Sequence, residues 1–161
     1  MKFMGNEKNS LNKELKSIWI YTESIENKLA KKRIDHLLDW YIRKANFYKN
    51  LFYVLSFSLI VINSLIPVLI NTQITNKDLI ISSISCIATI ITSSLTLFTM
   101  KDTWFRYRDS VESMKSECIK FTHKIGVYKD GDESIIVKNI EQIVKNERGL
   151  WKETKFNDDE N

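Results

Sequence analysis

The chain has 161 residues, 43% hydrophobic and 27% charged, with a formal net charge of +4. That length fits one domain and leaves no room for a separate catalytic one. The apolar residues are concentrated in one block: between Leu51 and Met100 the only charges are Lys77 and Asp78, whereas both flanks are densely charged.

Taken in chain order, residues 1–10 are polar and read as a loose N-terminus, and 11–49 as cytoplasmic helix or helices. Leu11, Leu15, Ile18, Thr22, Ile25 and Leu29 form a three-four apolar line. The line breaks near Lys31–Arg33 and resumes in a new register with Ile34, Leu38, Tyr41, Ala45, Tyr48 and Phe52. A bend or a helix–turn–helix would serve there.

Two uncharged runs follow, predicted as a first transmembrane span (50–71) and a second (79–100), joined by an external loop (72–78). About 20 residues rising 1.5 Å each make roughly 30 Å, enough to cross a bilayer. The competing reading, a buried helical pair in a soluble core, fails on length, because soluble helices seldom stay uncharged on every side for about five turns. The first apolar run begins at Leu51 behind a charged segment, so a signal peptide is not expected. Within this run Pro67 removes the helical donor to the Asn63 carbonyl, which predicts a kink and a polar site in its outer half. That pair reads either as a polar ring at an outer mouth or as an interhelical hydrogen bond.

Arg43, Lys44 and Lys49 precede the first span, Lys101, Arg106 and Arg108 follow the second, and the connecting loop carries only Lys77. The positive-inside rule then places both termini in the cytoplasm. The lipid bilayer accounts for the basic balance, and no nucleic-acid partner is needed.

The second span is expected to continue without a breaker into a cytoplasmic helix (101–126). Trp104, Tyr107, Val111, Met114, Cys118, Phe121 and Ile125 keep a heptad-like rhythm. Gly126 is the expected helix end and Ser134 the expected N-cap of a C-terminal helix (134–155), which uses Val137, Ile140, Val144 and Trp151. Residues 156–161 read as a solvated acidic tail. Cys86 and Cys118 have no spacing partner and suggest neither a disulfide nor a zinc site. The expected fold is thus an all-α membrane protein, a two-span hairpin whose long helices extend into a cytoplasmic helical bundle.

Inside the second span, Ser82, Ser85, Thr89, Thr92, Thr96 and Thr99 recur at steps of three and four, one line down a helix. Continued past Thr99 the line becomes Thr103, Arg106, Ser110, Ser113, Glu117, Lys120 and Lys124, predicting a polar, water-facing surface. Helix packing through small residues, a wetted pore wall and composition alone all remain open for this stripe. A single hairpin encloses no pore, so the pore reading requires a homo-oligomer.

The most distinctive string is WFRYRDSVESMKSE, Trp104–Glu117. Its spacing predicts a structural clasp, with Arg108 stacked under Trp104 and paired with Glu112 one turn on. The pattern Trp104, Tyr107, Arg108, Glu112, Glu117, followed by Gly126 and Tyr128 and then Glu141, Glu147 and Trp151, resembles the SLATT-type bacterial effectors. These are two-transmembrane-helix proteins, including a branch catalogued only as a domain of unknown function. The resemblance spans about residues 35–155, and the LIPVL around Pro67 belongs to it.

What the resemblance implies is a pore-forming effector of bacterial conflict systems in the inner (plasma) membrane, beside nucleotide-sensing or other signalling partners. It transfers no catalytic residue. No phosphate loop, Cys/His cluster or nucleophile elbow appears, so an enzyme, a metal and a cofactor are not expected. Lysines and arginines beside Glu112, Glu117, Glu141 and Glu147 predict salt bridges rather than metal chemistry. A homo-oligomeric ion channel is the leading expectation, and a non-conducting membrane adaptor whose cytoplasmic helices recruit a partner is the alternative.

Overall fold

A computed structural model describes residues 2–73 and 76–157, with side chains over 9–73 and 76–149. The regular elements among them are all helical: α1 (Lys2–Lys16), α2 (Ile18–Thr22), α3 (Lys28–Ile70), α4 (Lys77–Leu97), α5 (Met100–Thr122), a 3-10 turn (Gly126–Tyr128) and α6 (Glu133–Asn157). Two compact units result. One comprises the residues up to Asn46 with those from Phe105 onward; the other is Phe47–Trp104.

The first unit is a helical bundle around one core. Ile34, Leu38 and Tyr41 of α3 meet Val111, Met114, Cys118 and Phe121 of α5 and Ile136, Ile140 and Val144 of α6. Each such side chain removed from water contributes about 1.5–3 kcal/mol. Leu11 and Leu15 of α1 pack on the same core, so residues 2–10, expected to be loose, are the start of a helix. Lys2, Met4, Glu7 and Lys8 there are good helix formers, and no proline interrupts them.

The helix–turn–helix expected at Lys31–Arg33 lies upstream, at residues 23–27. Asn27 sets it: its Oδ1 accepts from the backbone N–H of Leu29 (2.9 Å) and Ala30 (3.2 Å), capping α3. The Glu133 carboxylate fastens the same turn, accepting from the N–H of Glu26 (2.6 Å) and Asn27 (3.0 Å). With the phase reset there, Leu29 leaves the apolar line and stands 81% exposed.

α5 stops at Thr122, short of Gly126. Lys124 takes the left-handed conformation (φ 54°), and the Ile125 N–H reaches back to the Lys120 carbonyl at 2.9 Å. Ile125 is thereby turned outward, while Gly126 (φ 64°) provides a second left-handed step that delivers Tyr128 into the core. The N-cap of α6 is Asp132 rather than Ser134, since Asp132 Oδ1 accepts from the Ser134 N–H at 2.8 Å.

The second unit holds the apolar part of α3, the loop, α4 and the start of α5. Lys28–Ile70 and Lys77–Thr122 are the two helical stretches long and apolar enough to cross a membrane. Of their apolar windows, 0% and 6% are buried. A core helix of a soluble protein would be mostly covered, whereas here Phe57, Ile60, Leu79 and Ile90 are all exposed. Pro67 lies inside α3, which ends a turn later, where Asn71 Nδ2 donates to the Pro67 carbonyl (3.1 Å) and Thr72 Oγ1 to that of Leu69 (2.8 Å).

The expectation of an uninterrupted second long helix is overturned. α4 ends at Leu97, Thr99 adopts φ 39°, and α5 restarts at Met100, with the Thr103 N–H bonded to the Thr99 carbonyl at 2.9 Å. A β-branched residue seldom enters the left-handed region. The local run Thr96-Leu97-Phe98-Thr99 offers little resistance to a break, because β-branched and aromatic residues lose side-chain freedom in a helix.

Candidate functional site

The hydroxyl stripe lies on α4. Ser82, Thr89, Thr92 and Thr96 are exposed, while Ser85 and Thr99 are half-buried. Ser82 donates to the Asp78 carbonyl (2.7 Å), Thr89 to Ser85 (2.9 Å), Thr92 to Ala88 (2.9 Å) and Thr96 to Thr92 (3.1 Å). Ser83 and Ser94, off the stripe, do the same toward Leu79 and Ile90. The hydroxyl protons of Ser82, Thr89, Thr92 and Thr96 are thus satisfied within their own helix. In α3, Asn63 and Pro67 are exposed.

Beyond Thr99 the stripe is only in part the expected water-facing surface. Thr103 and Ser110 are buried, and Arg106 and Ser113 are half-buried. Further along the line Glu117 is half-buried, whereas Lys120 and Lys124 are exposed.

The Trp104–Glu117 string is divided between the units. The Trp104 ring lies 5.9 Å from that of Tyr53. In the bundle, Arg108 pairs with Glu112 at 2.7 Å, as its spacing implied, and with Glu14 of α1 at 2.8 Å. Lys115 joins both acids, at 2.6 Å to Glu14 and 3.3 Å to Glu112. Burial pushes the Glu14 carboxyl up, but Lys115 and then Arg108 outweigh it and hold the group below its ordinary 4.5.

Glu117 is the hub of a second network. It accepts from Lys120 (2.7 Å), from Asn139 (3.1 Å) and from the Tyr128 hydroxyl, which itself accepts from Asn139 at 2.7 Å. Burial again raises this carboxyl, and Lys120, Tyr128 and Asn139 together bring it below 4.5. Burial first, then the bond to Glu117, raises the Tyr128 hydroxyl, so the phenol keeps its proton as the donor. Arg33 grips Glu141 with two bonds, at 2.7 and 3.3 Å. Burial pushes the nearby Cys118 thiol up to about 12, making it an inert core group.

Glu147 sits apart from these pairs. It is 7% exposed and accepts from the Tyr41 hydroxyl at 3.5 Å. Tyr41 closes an aromatic group, its ring 4.8 Å from Trp40 and 5.7 Å from Tyr107, edge to face. A cleft of about 430 Å³ opens here, walled by those rings, by Leu37 and Val144, and by Arg33, His36, Glu147 and Arg148. The side chain of Trp151 lies outside the described residues.

Sequence reasoning named Glu147 without seeing its burial. The signal was present: Ile140, Val144 and Glu147 step by four and three, which puts the carboxylate on the inward line of α6. Glu14, Lys115, Glu133 and Asn139 were missed, because charges of this kind ordinarily mark a solvated face.

Fold and site together define an all-helical protein that joins a polar-locked bundle to two long apolar helices. A family model described as "Protein of unknown function (DUF4231)" matches residues 36–135. The chain belongs to that family. The match runs from the third turn of α3 to the start of α6, so it includes Trp104, Tyr107, Arg108, Glu112, Glu117 and Tyr128 and stops short of Glu141, Glu147 and Trp151. No curated protein and no solved structure matches the chain.

Proposed function

We propose that the chain is an integral membrane protein of the inner (plasma) membrane, with both termini cytoplasmic, that assembles from several copies into an ion-conducting pore. The observation that carries this reading is the state of α3 and α4. The side chains of their apolar windows are left almost wholly uncovered, and α4 sets among them a line of hydroxyls bonded back to their own helix. A bilayer removes the apolar surface from water at about 25 cal/mol per Å². In a ring of copies, Ser82, Ser85, Thr89, Thr92, Thr96 and Thr99 would line a neutral, oxygen-rich path. Asn63 and Pro67 would stand toward its outer end, and the flanking basic residues would fix the orientation. The resemblance to SLATT-type effectors points the same way, toward a pore opened by a signalling or nucleotide-sensing partner.

A second reading, a non-conducting adaptor, is favoured by one observation: each bonded hydroxyl of α4 is satisfied by its own helix and needs neither water nor a neighbour. The hairpin would then only anchor a bundle that recruits a partner. Reconstitution in liposomes separates the two. Ion flux that Thr92→Leu and Thr96→Leu each reduce several-fold supports the lined pore. Flux insensitive to both removes the lining assignment, and absence of flux in every oligomeric state favours the adaptor.

A further inference from the structure

The cleft in the bundle is unused by the membrane reading and stands independently of it. Its volume of about 430 Å³ lies within the range of small-molecule sites, about 300–1,000 Å³. Glu147 is the decisive group. Among the described residues its single hydrogen bond is the 3.5 Å contact from Tyr41, whereas Glu14, Glu117 and Glu141 each hold a cation at 2.6 or 2.7 Å. A carboxylate this far from water is ordinarily paired, because burying its charge without compensation costs several kcal/mol. Tyr41, its hydroxyl kept protonated by burial and by the Glu147 charge, supplies one donor only. Arg148, the next residue, is exposed and makes no ion pair among the described residues, while Arg33 across the cleft is committed to Glu141.

We propose that this cleft binds a small zwitterion. Its guanidinium or ammonium end donates to Glu147, beside the Tyr41 and Tyr107 rings, and its anionic end meets Arg148. A simple anion is disfavoured because it would bring a second negative charge beside a buried carboxylate. A cation suits both the carboxylate and the aromatic wall. A bare cation would stand beside the Arg148 charge with no anionic group of its own to offset it. A free basic amino acid has the required pairing of charges.

The test uses the full chain in detergent, with calorimetry or tryptophan fluorescence as readout and L-arginine as probe. Agmatine, which lacks the carboxylate, and glutarate, which lacks the cation, are the comparison ligands. L-Arginine should bind more tightly than either. Glu147→Gln should weaken L-arginine about tenfold or more, the loss of one charge-assisted pair, while leaving the unliganded Tm unchanged or raised, since a buried charge is removed. Arg148→Ala, at an exposed position, should weaken L-arginine and leave agmatine unchanged or bound more tightly, since a neighbouring positive charge is removed. Absence of L-arginine binding at millimolar concentration, equal binding by Glu147→Gln, or tighter binding of glutarate would each overturn the proposal. None of these outcomes depends on whether the protein conducts ions.

Discussion

The two units differ in where most of their polar side chains find partners, although Ser110 and Thr122 of the bundle also bond back onto their own helix. In the bundle, polar side chains bond across elements distant in the chain: Glu14 to Lys115, Arg33 to Glu141, Glu133 to the turn at Asn27. In α4, each bonded hydroxyl turns back four residues onto its own helix. Bonds of the first kind hold a tertiary structure together. Those of the second kind make a helix self-sufficient, able to enter surroundings that offer no partner. The apolar residues follow the same division, covered by one another in the bundle and left bare in the apolar windows of α3 and α4.

That contrast can be broken most forcefully in the core. Leu38→Ala should cost about 2–5 kcal/mol in denaturation of the detergent-solubilised protein. Ile90→Ala, on the exposed face of α4, should cost less than about 0.5 kcal/mol in the monomer. Equal costs would mean that α4 is as well packed as the bundle. Next in size, Ile60→Lys should oppose membrane insertion by about 2.5–3.5 kcal/mol in an insertion assay, and Leu29→Lys, also exposed but in the bundle, should have no effect there.

A smaller effect comes from acid. Glu14, Glu117 and Glu141 all have carboxyls lowered below 4.5 on folding. Their contribution is fully present above that unfolded value and is lost as pH falls through the lower folded values. Urea midpoints should therefore fall below pH 4.5, and Glu14→Gln should reduce that dependence. The smallest test uses the two cysteines, one in each unit. A membrane-permeant maleimide should label exposed Cys86 and leave Cys118 unmodified until the bundle unfolds. Labelling of Cys118 in the native protein would show that the bundle opens readily.

Periodicity alone made much of this legible. The lines Ile34–Leu38–Tyr41 and Val111–Met114–Cys118–Phe121 are core in fact, and the two apolar runs lie where composition put them. The failures concern features without a compositional mark. Asn27 caps a helix that begins before the basic cluster taken for the break, and Lys124 takes the left-handed position expected of Gly126. Glu147 has the right phase to be buried, but a carboxylate is discounted by any rule that counts only apolar residues. The identity of the candidate stripe was visible, whereas the satisfaction of its hydroxyls requires coordinates.

The interruption at Thr99 has a consequence for how the chain tolerates insertion. In an unbroken helix, one added residue rotates everything beyond it by about 100°. Added at residue 108, it would swing Val111, Met114, Cys118 and Phe121 off the core together. Added between Phe98 and Thr99, it would fall where the phase is already reset, and that core should survive. A change of length at that point in the chain thus leaves the face that α5 turns to its core unaltered.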